Sequence, residues 1–138
     1  MSAIPVITEL DAARIRELGS RVPKGASPPH ALNQLIDMIR GEAEIVPGAR
    51  VPPDIVTVNS KVTFREEVTG TVHTVTVVYP HDFSLAQRCI SLLSPVGLAL
   101  LGRRVGDVAT LEMPDGSSRR IRLLELHYQP EASGDMTR

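Results

Sequence analysis

The 138-residue chain reads as an α+β protein. Apolar residues recur at helical spacing over roughly the first forty positions and at a period of two from Ile55 onward. A proline-rich stretch separates the two regimes. This order predicts a short antiparallel helical hairpin, then an antiparallel sheet of four or five strands with one short helix on a sheet face.

The first helix is predicted from Thr8 to Leu18. Thr8 is placed to cap it, with Asp11 three residues on in the position of a capping-box partner. Leu10, Ile15 and Leu18, helped by Ala13, supply its apolar stripe, and Gly19 ends it. The second helix is predicted from Pro28 to Arg40, capped by Ser27, with proline in the first turn where a missing N–H costs nothing. Leu32, Leu35, Ile36 and Ile39 form its apolar face, and Gly41 ends it. Between the helices lies GSRVPKGAS, a short basic loop carrying Arg21 and Lys24 and no acid. Helices this short are marginal alone and must pack on each other or on the rest of the chain.

Gly41 to Asp54 is expected to be a linker, stiffened by Pro47, Pro52 and Pro53. Ile55 to Phe64 then reads as a strand, and REEVTG as a turn around Gly70. Thr71 to Tyr79, almost entirely β-branched, is the second strand, and Pro80 stops it. His81 to Gln87 is a loop or short helix, and Ile90 to Leu92 a short strand. Ser94-Pro95 starts a helix by cap and first-turn chemistry. Leu98, Leu100 and Leu101 anchor it, Gly102 terminates it, and Asp107 is expected to brace the turn that follows. Val108 to Met113 and Arg119 to Tyr128 are the last strands, joined by a turn at Pro114 to Ser117. The tail from Gln129 is polar and expected to fray.

Composition excludes several function classes. With 15 basic and 16 acidic residues the formal charge is −1, so bulk charge does not attract a polyanion. The longest apolar run, around Val96 to Gly102, falls far short of the ~20 residues of a membrane span. The N-terminus lacks the basic and apolar regions of a secretory signal. A single cysteine, Cys89, forms no internal disulfide, and the chain is expected in a reducing cytoplasm. No HExxH, paired cysteine, GxSxG, phosphate-cradling glycine loop or GxGxxG is present. No catalytic residue, metal site or cofactor is therefore expected, nor a small-molecule substrate. His73 and His127 would meet only if their strands were neighbours.

Basic residues cluster at Arg103 and Arg104 and again at Arg119, Arg120 and Arg122, where Arg120 and Arg122 share a strand face. Arg103, Arg104, Arg120 and Arg122 are the candidate partner-binding residues, against the plainer reading of a solvated face. Without interleaved aromatic rings, single-strand stacking is not expected, and any DNA or RNA contact would be indirect or weak.

The run ISLLSPVGLALLGRRVGD, Ile90 to Asp107, resembles the signature of the C-terminal domain of the Gre transcript-cleavage factors. The match falls on Ile90, Ser91, Ser94, Pro95, Gly97, Ala99, Leu100, Leu101, Gly102, Gly106 and Asp107. VTVNSKVTF, VTVVYP and LLELHYQPE extend the resemblance over about residues 54 to 131. The short N-terminal part, residues 1 to 53, is similar to that of the Rnk-like group, the regulators of nucleoside diphosphate kinase. The resemblance implies an FKBP-like domain and docking to bacterial RNA polymerase near its secondary channel. In Gre factors a long coiled coil enters that channel and two tip acids serve RNA cleavage. Here Glu9, Asp11 and Glu17 lie on the first helix, and Asp37, Glu42 and Glu44 in or just after the second, none of them within the loop between the helices. The resemblance therefore implies a non-enzymatic regulator, competing with Gre factors without stimulating cleavage. An adaptor for another protein partner and a cleavage-stimulating factor are the alternatives.

Overall fold

The computed structural model describes residues 4–22, 25, 30–82, 84, 86–113 and 115–134. The expected roles of Lys24, Ser27, Pro28 and Pro114 lie outside the described residues. The architecture is mixed α+β. A two-stranded parallel pair, β1 (Val6–Thr8) and β2 (Glu44–Val46), brackets helix α1 (Glu9–Ser20) and helix α2 (His30–Asp37). Helix α2 runs on into a π-helical turn, Met38–Glu42, which contains Gly41. The segment expected as a linker therefore contains β2 and a short 3-10 turn, Gly48–Arg50. Three-residue strands are too short to stand out by alternation.

A five-stranded sheet follows, in the order β5-β4-β3-β7-β6. Its strands are β3 (Lys61–Glu66), β4 (Val72–Val78), β5 (Cys89–Ser91), β6 (Val108–Glu112) and β7 (Ser118–Tyr128). Three neighbouring pairs are antiparallel, but β5 runs parallel to β4, a departure from the all-antiparallel expectation. Helix α3 (Pro95–Leu100) carries the chain from the β5 edge to the β6 edge. The expected first strand begins only at Lys61. Upstream, Ile55 makes an isolated bridge to Arg104, and Asn59 takes a positive φ of 73° in a tight turn. Asn59, with a short polar side chain that tolerates this backbone region, breaks the alternation that the sequence continues.

The inner sheet face carries Val62, Phe64, Val77, Ala109, Leu111, Ile121 and Leu123, all buried. One continuous apolar cluster joins them to Leu100 and Leu101 of the α3 region and to Ala12, Ile15, Leu32 and Leu35 of the two N-terminal helices. On α1 the buried positions are Asp11, Ala12 and Ile15. Leu10 is half-buried and Ala13 exposed, so the buried stripe is rotated from the expected one. His73 and His127 do not meet, because β3 lies between their strands. His73 stacks on Phe64 at 5.3 Å, and His127 Nε2 lies 2.6 Å from the Thr63 hydroxyl. The tail does not fray at Gln129. Gln129, Pro130 and Glu131 are buried, and Gln129 Nε2 donates to the carbonyls of Pro52 and Ile55, each at 2.8 Å.

Candidate partner-binding site

The Ser94–Asp107 stretch is built by local chemistry. Ser94 is the N-cap of α3: its hydroxyl accepts the Gly97 N–H at 3.1 Å and donates to the Ser91 carbonyl at 2.6 Å. Pro95 occupies the first turn. Gly97 passes so close to the preceding chain that a Cβ would collide with the Ser91 carbonyl and lie 2.7 Å from Leu92 Cα. Leu100 and Leu101 are buried, while Leu98 is only half-buried, on the cleft side, contrary to its expected role as a full anchor. Gly102, at φ +80°, releases the chain. Its N–H donates to the Val56 carbonyl at 2.9 Å, and its carbonyl accepts the Val6 N–H at 3.1 Å. The signature thus holds both β1 and the 55–60 segment. Gly106, at φ +95°, donates its N–H to the Leu123 carbonyl at 2.8 Å. Asp107 Oδ2 accepts the Arg104 N–H at 3.0 Å, bracing the turn before it rather than the one after.

The four candidate arginines sit on two elements. Arg103, half-buried after α3, lines a cleft of about 480 Å³ whose rim carries Asp37, Glu42 and Glu112. Arg104 is exposed, with Nε 3.8 Å from Asp54 Oδ2. Arg120 and Arg122 do share the outer face of β7, as strand parity requires. Arg122 lies directly opposite Arg65 on β3. Like charges so placed repel, and Glu67 offsets the repulsion, with one carboxylate oxygen 2.9 Å from Arg122 Nε and the other 3.7 Å from Arg65 Nη2. Arg120 is exposed opposite Thr110. At the end of α1, Arg21 pairs with Glu17 at 2.6 Å.

A polar cluster that sequence reasoning missed lies at the junction of the helices and the sheet. Asp11 is 1% exposed. Its N–H donates to Thr8 Oγ1 at 3.1 Å, as the cap requires. Its carboxylate accepts the Val58 N–H at 3.1 Å and the Tyr79 hydroxyl at 2.7 Å. Burial pushes the Asp11 carboxyl up to about 6, against the lowering effect of those two donors, and the Glu131 charge adds to the rise. Burial, and then the Asp11 charge, holds the Tyr79 hydroxyl far above its usual value, so it stays a donor. The Arg14 guanidinium lies 5.6 Å from the centre of the Tyr79 ring. Beside this cluster the Thr57 hydroxyl donates to Glu131 Oε1 at 2.7 Å, and Ser60 Oγ accepts the Thr57 N–H at 2.9 Å. One signal was available: Asp11 lies four residues before Ile15, on the face that must be buried.

Among the described residues no group of three or more His, Cys, Asp or Glu side chains is placed to hold a metal. None of the described helices is long and apolar enough to cross a membrane. The geometry offers surfaces and a braced junction, and the sequence family shows whose they are. Residues 51–128 match the family described as transcription elongation factor, GreA/GreB, C-term. The chain belongs to the GreA/GreB family. It is 40% identical over 131 residues to the regulator of nucleoside diphosphate kinase of Escherichia coli K12, covering 94% of this chain and 93% of that protein. It is 36% identical over 84 residues to transcription elongation factor GreA of Thermotoga neapolitana, covering 61% of this chain and 53% of that protein. The solved GreA/GreB elongation factor from Nitrosomonas europaea superposes with a TM-score of 0.71 at 35% identity, covering 92% of this chain and all of that one. Within the GreA/GreB family, this chain shares its near-full length with the Rnk-like regulator and about half the length of the GreA protein.

Proposed function

We propose that this GreA/GreB-family protein is a non-enzymatic, cytoplasmic transcription regulator that binds bacterial RNA polymerase near its secondary channel. An FKBP-like domain, residues 54–131, docks through its surface, and the short helical hairpin of residues 1–53 sits at the channel mouth. It competes with Gre factors without stimulating RNA cleavage. Arg103, Arg104, Arg120 and Arg122 are the contact candidates, and Arg120 is the exposed one on the outer sheet face.

The observation that carries this reading is the size of the helical part within a chain of this family. Helix α1 has 12 residues, and α2 with the π-helical turn that continues it covers the described residues His30 to Glu42, so the two arms span only about 18 Å and about 20 Å at 1.5 Å per residue. Residues 19–27 contain no aspartate or glutamate with which to position a catalytic metal. Asp11, which the sequence places among the helix acids, is occupied by Val58 and Tyr79.

The test is a titration of the purified protein against bacterial core RNA polymerase, competed by a Gre factor, with backtracked-RNA cleavage assayed on the same samples. Saturable, competitive binding without cleavage is expected. Stimulated cleavage would overturn the non-cleaving role. Absence of binding at micromolar protein and low salt would overturn the polymerase reading and leave an adaptor for another protein.

A further inference from the structure

The 55–60 segment is held from four sides, one of them β4, where the Val77 N–H donates to the Ser60 carbonyl at 3.0 Å. Asp11 of α1 accepts its Val58 N–H. Residues of the signature bond both polar groups of Val56, through Gly102 N–H and the Arg103 carbonyl. The C-terminal turn bonds it through Gln129 to Ile55 and through Glu131 to Thr57. The segment is therefore a keystone between the paired helices and the sheet.

Beyond the Val6 N–H bond to the Gly102 carbonyl, which holds β1 just before α1, apolar contacts alone would let the helix shift over the sheet at little cost, because hydrophobic burial is non-directional. A carboxylate with two donors from different elements is directional in distance and angle. It also carries a penalty if either donor moves away, since a buried acceptor is left unmade. Ionising an acid so buried, with its carboxyl raised to about 6, costs stability as pH rises to neutral. What the acid supplies is a defined geometry. The groups facing it are the Tyr79 hydroxyl, Thr8, Glu131 and, across the Tyr79 ring, Arg14.

We infer that Asp11 is a positioning residue: its bonds to Val58 and Tyr79 set the pose in which the paired helices leave the sheet. The functional meaning of that pose, presentation of the helices at the polymerase channel, rests on the reading above. The pose itself does not.

The experiment measures distances on the free, full-length protein by spin labels at Ser20→Cys on α1 and Glu125→Cys on β7, in a Cys89→Ser background. Both labelled positions are exposed. The parent gives one narrow distance distribution. Asp11→Ala broadens it roughly twofold or more while amide-exchange protection of β3 and β7 stays unchanged. Asp11→Asn, which retains an acceptor for Val58 and a polar group for Tyr79, restores the narrow distribution. A distribution as narrow in Asp11→Ala as in the parent overturns the inference. If Asp11→Ala does not fold, Tyr79→Phe carries the test, and an unchanged distribution there overturns it equally. Polymerase binding is titrated on the same samples. Parent protein that fails to bind overturns the docking reading, whereas the distance result still decides the pose.

Discussion

The Tyr79 hydroxyl donates to Asp11 Oδ1 at 2.7 Å across 68 residues of sequence, tying the first turn of α1 to the end of β4. Both groups are buried. Ionisation of Asp11 therefore links stability to pH. Its folded value, about 6, lies above the ordinary 3.8, so the folded state holds the proton more tightly than the unfolded state. Stability from this group is present below about pH 4, is lost as pH rises through 4 to 6, and stays lost above. Urea unfolding of the parent and Asp11→Asn at pH 4.5 and 7.5 checks the sign. The parent should lose on the order of 2 kcal/mol relative to Asp11→Asn between those two values.

Tyr79→Phe removes one donor and leaves the ring. The unmet carboxylate oxygen should cost about 1–3 kcal/mol. The loss should be larger at pH 7.5 than at pH 4.5, because the ionised carboxylate needs the donor most. An equal loss at both values would show that the hydroxyl acts elsewhere.

Gly97 and Gly41 offer opposite outcomes for one substitution. Alanine at Gly97 brings a Cβ against the Ser91 and Leu92 backbone. The steric cost, roughly 2 kcal/mol or more, should exceed the ~1 kcal/mol that alanine contributes to a helix. At Gly41 nothing lies within 4 Å of the added methyl and φ is not positive. Gly41→Ala should leave the thermal midpoint unchanged or raised, whereas Gly97→Ala lowers it.

Leu101→Ala should cost about 2–5 kcal/mol, since Leu101 is fully buried. Leu98→Ala should cost less than half as much, because Leu98 opens onto the cleft beside Arg103. Denaturant midpoints of the two variants compare them directly. Equal losses would move Leu98 into the core.

Arg122→Ala breaks the contact with Glu67, but 43% of the Arg122 side chain is exposed. The stability change should be under ~1 kcal/mol and should shrink further in high salt. Removing Glu67 instead leaves Arg65 and Arg122 facing each other unscreened, so Glu67→Ala should cost more than Arg122→Ala in the same melts.

Features decided by neighbours a few residues apart were legible in the sequence. Ser94 caps α3 through a bond to Gly97, three residues away, and Thr8 caps α1 through Asp11 at the same spacing. The turn at Gly70, the β3–β4 pairing and the shared face of Arg120 and Arg122 follow from equally local rules. The signature from Ile90 to Asp107 also carried the family. Of the candidate arginines, sequence parity placed Arg120 and Arg122, while the partners Glu67 and Asp54 emerged only from the folded chain.

What only the tertiary structure decided depends on which distant groups meet. Alternation continues through Val56 and Val58, yet their bonds go to Arg103 and Asp11, so no strand forms there. The β5 strand is parallel to β4, with Ile90 opposite Val77, a sense that its three residues do not encode. Gln129 and Glu131 read as polar tail residues until Ile55 and Thr57 supply partners 74 residues away. Asp11 reads as a capping acid until Val58 and Tyr79 approach it from 47 and 68 residues away. A local pattern states which groups need partners; the burial of those groups by tertiary packing decides which partners they receive.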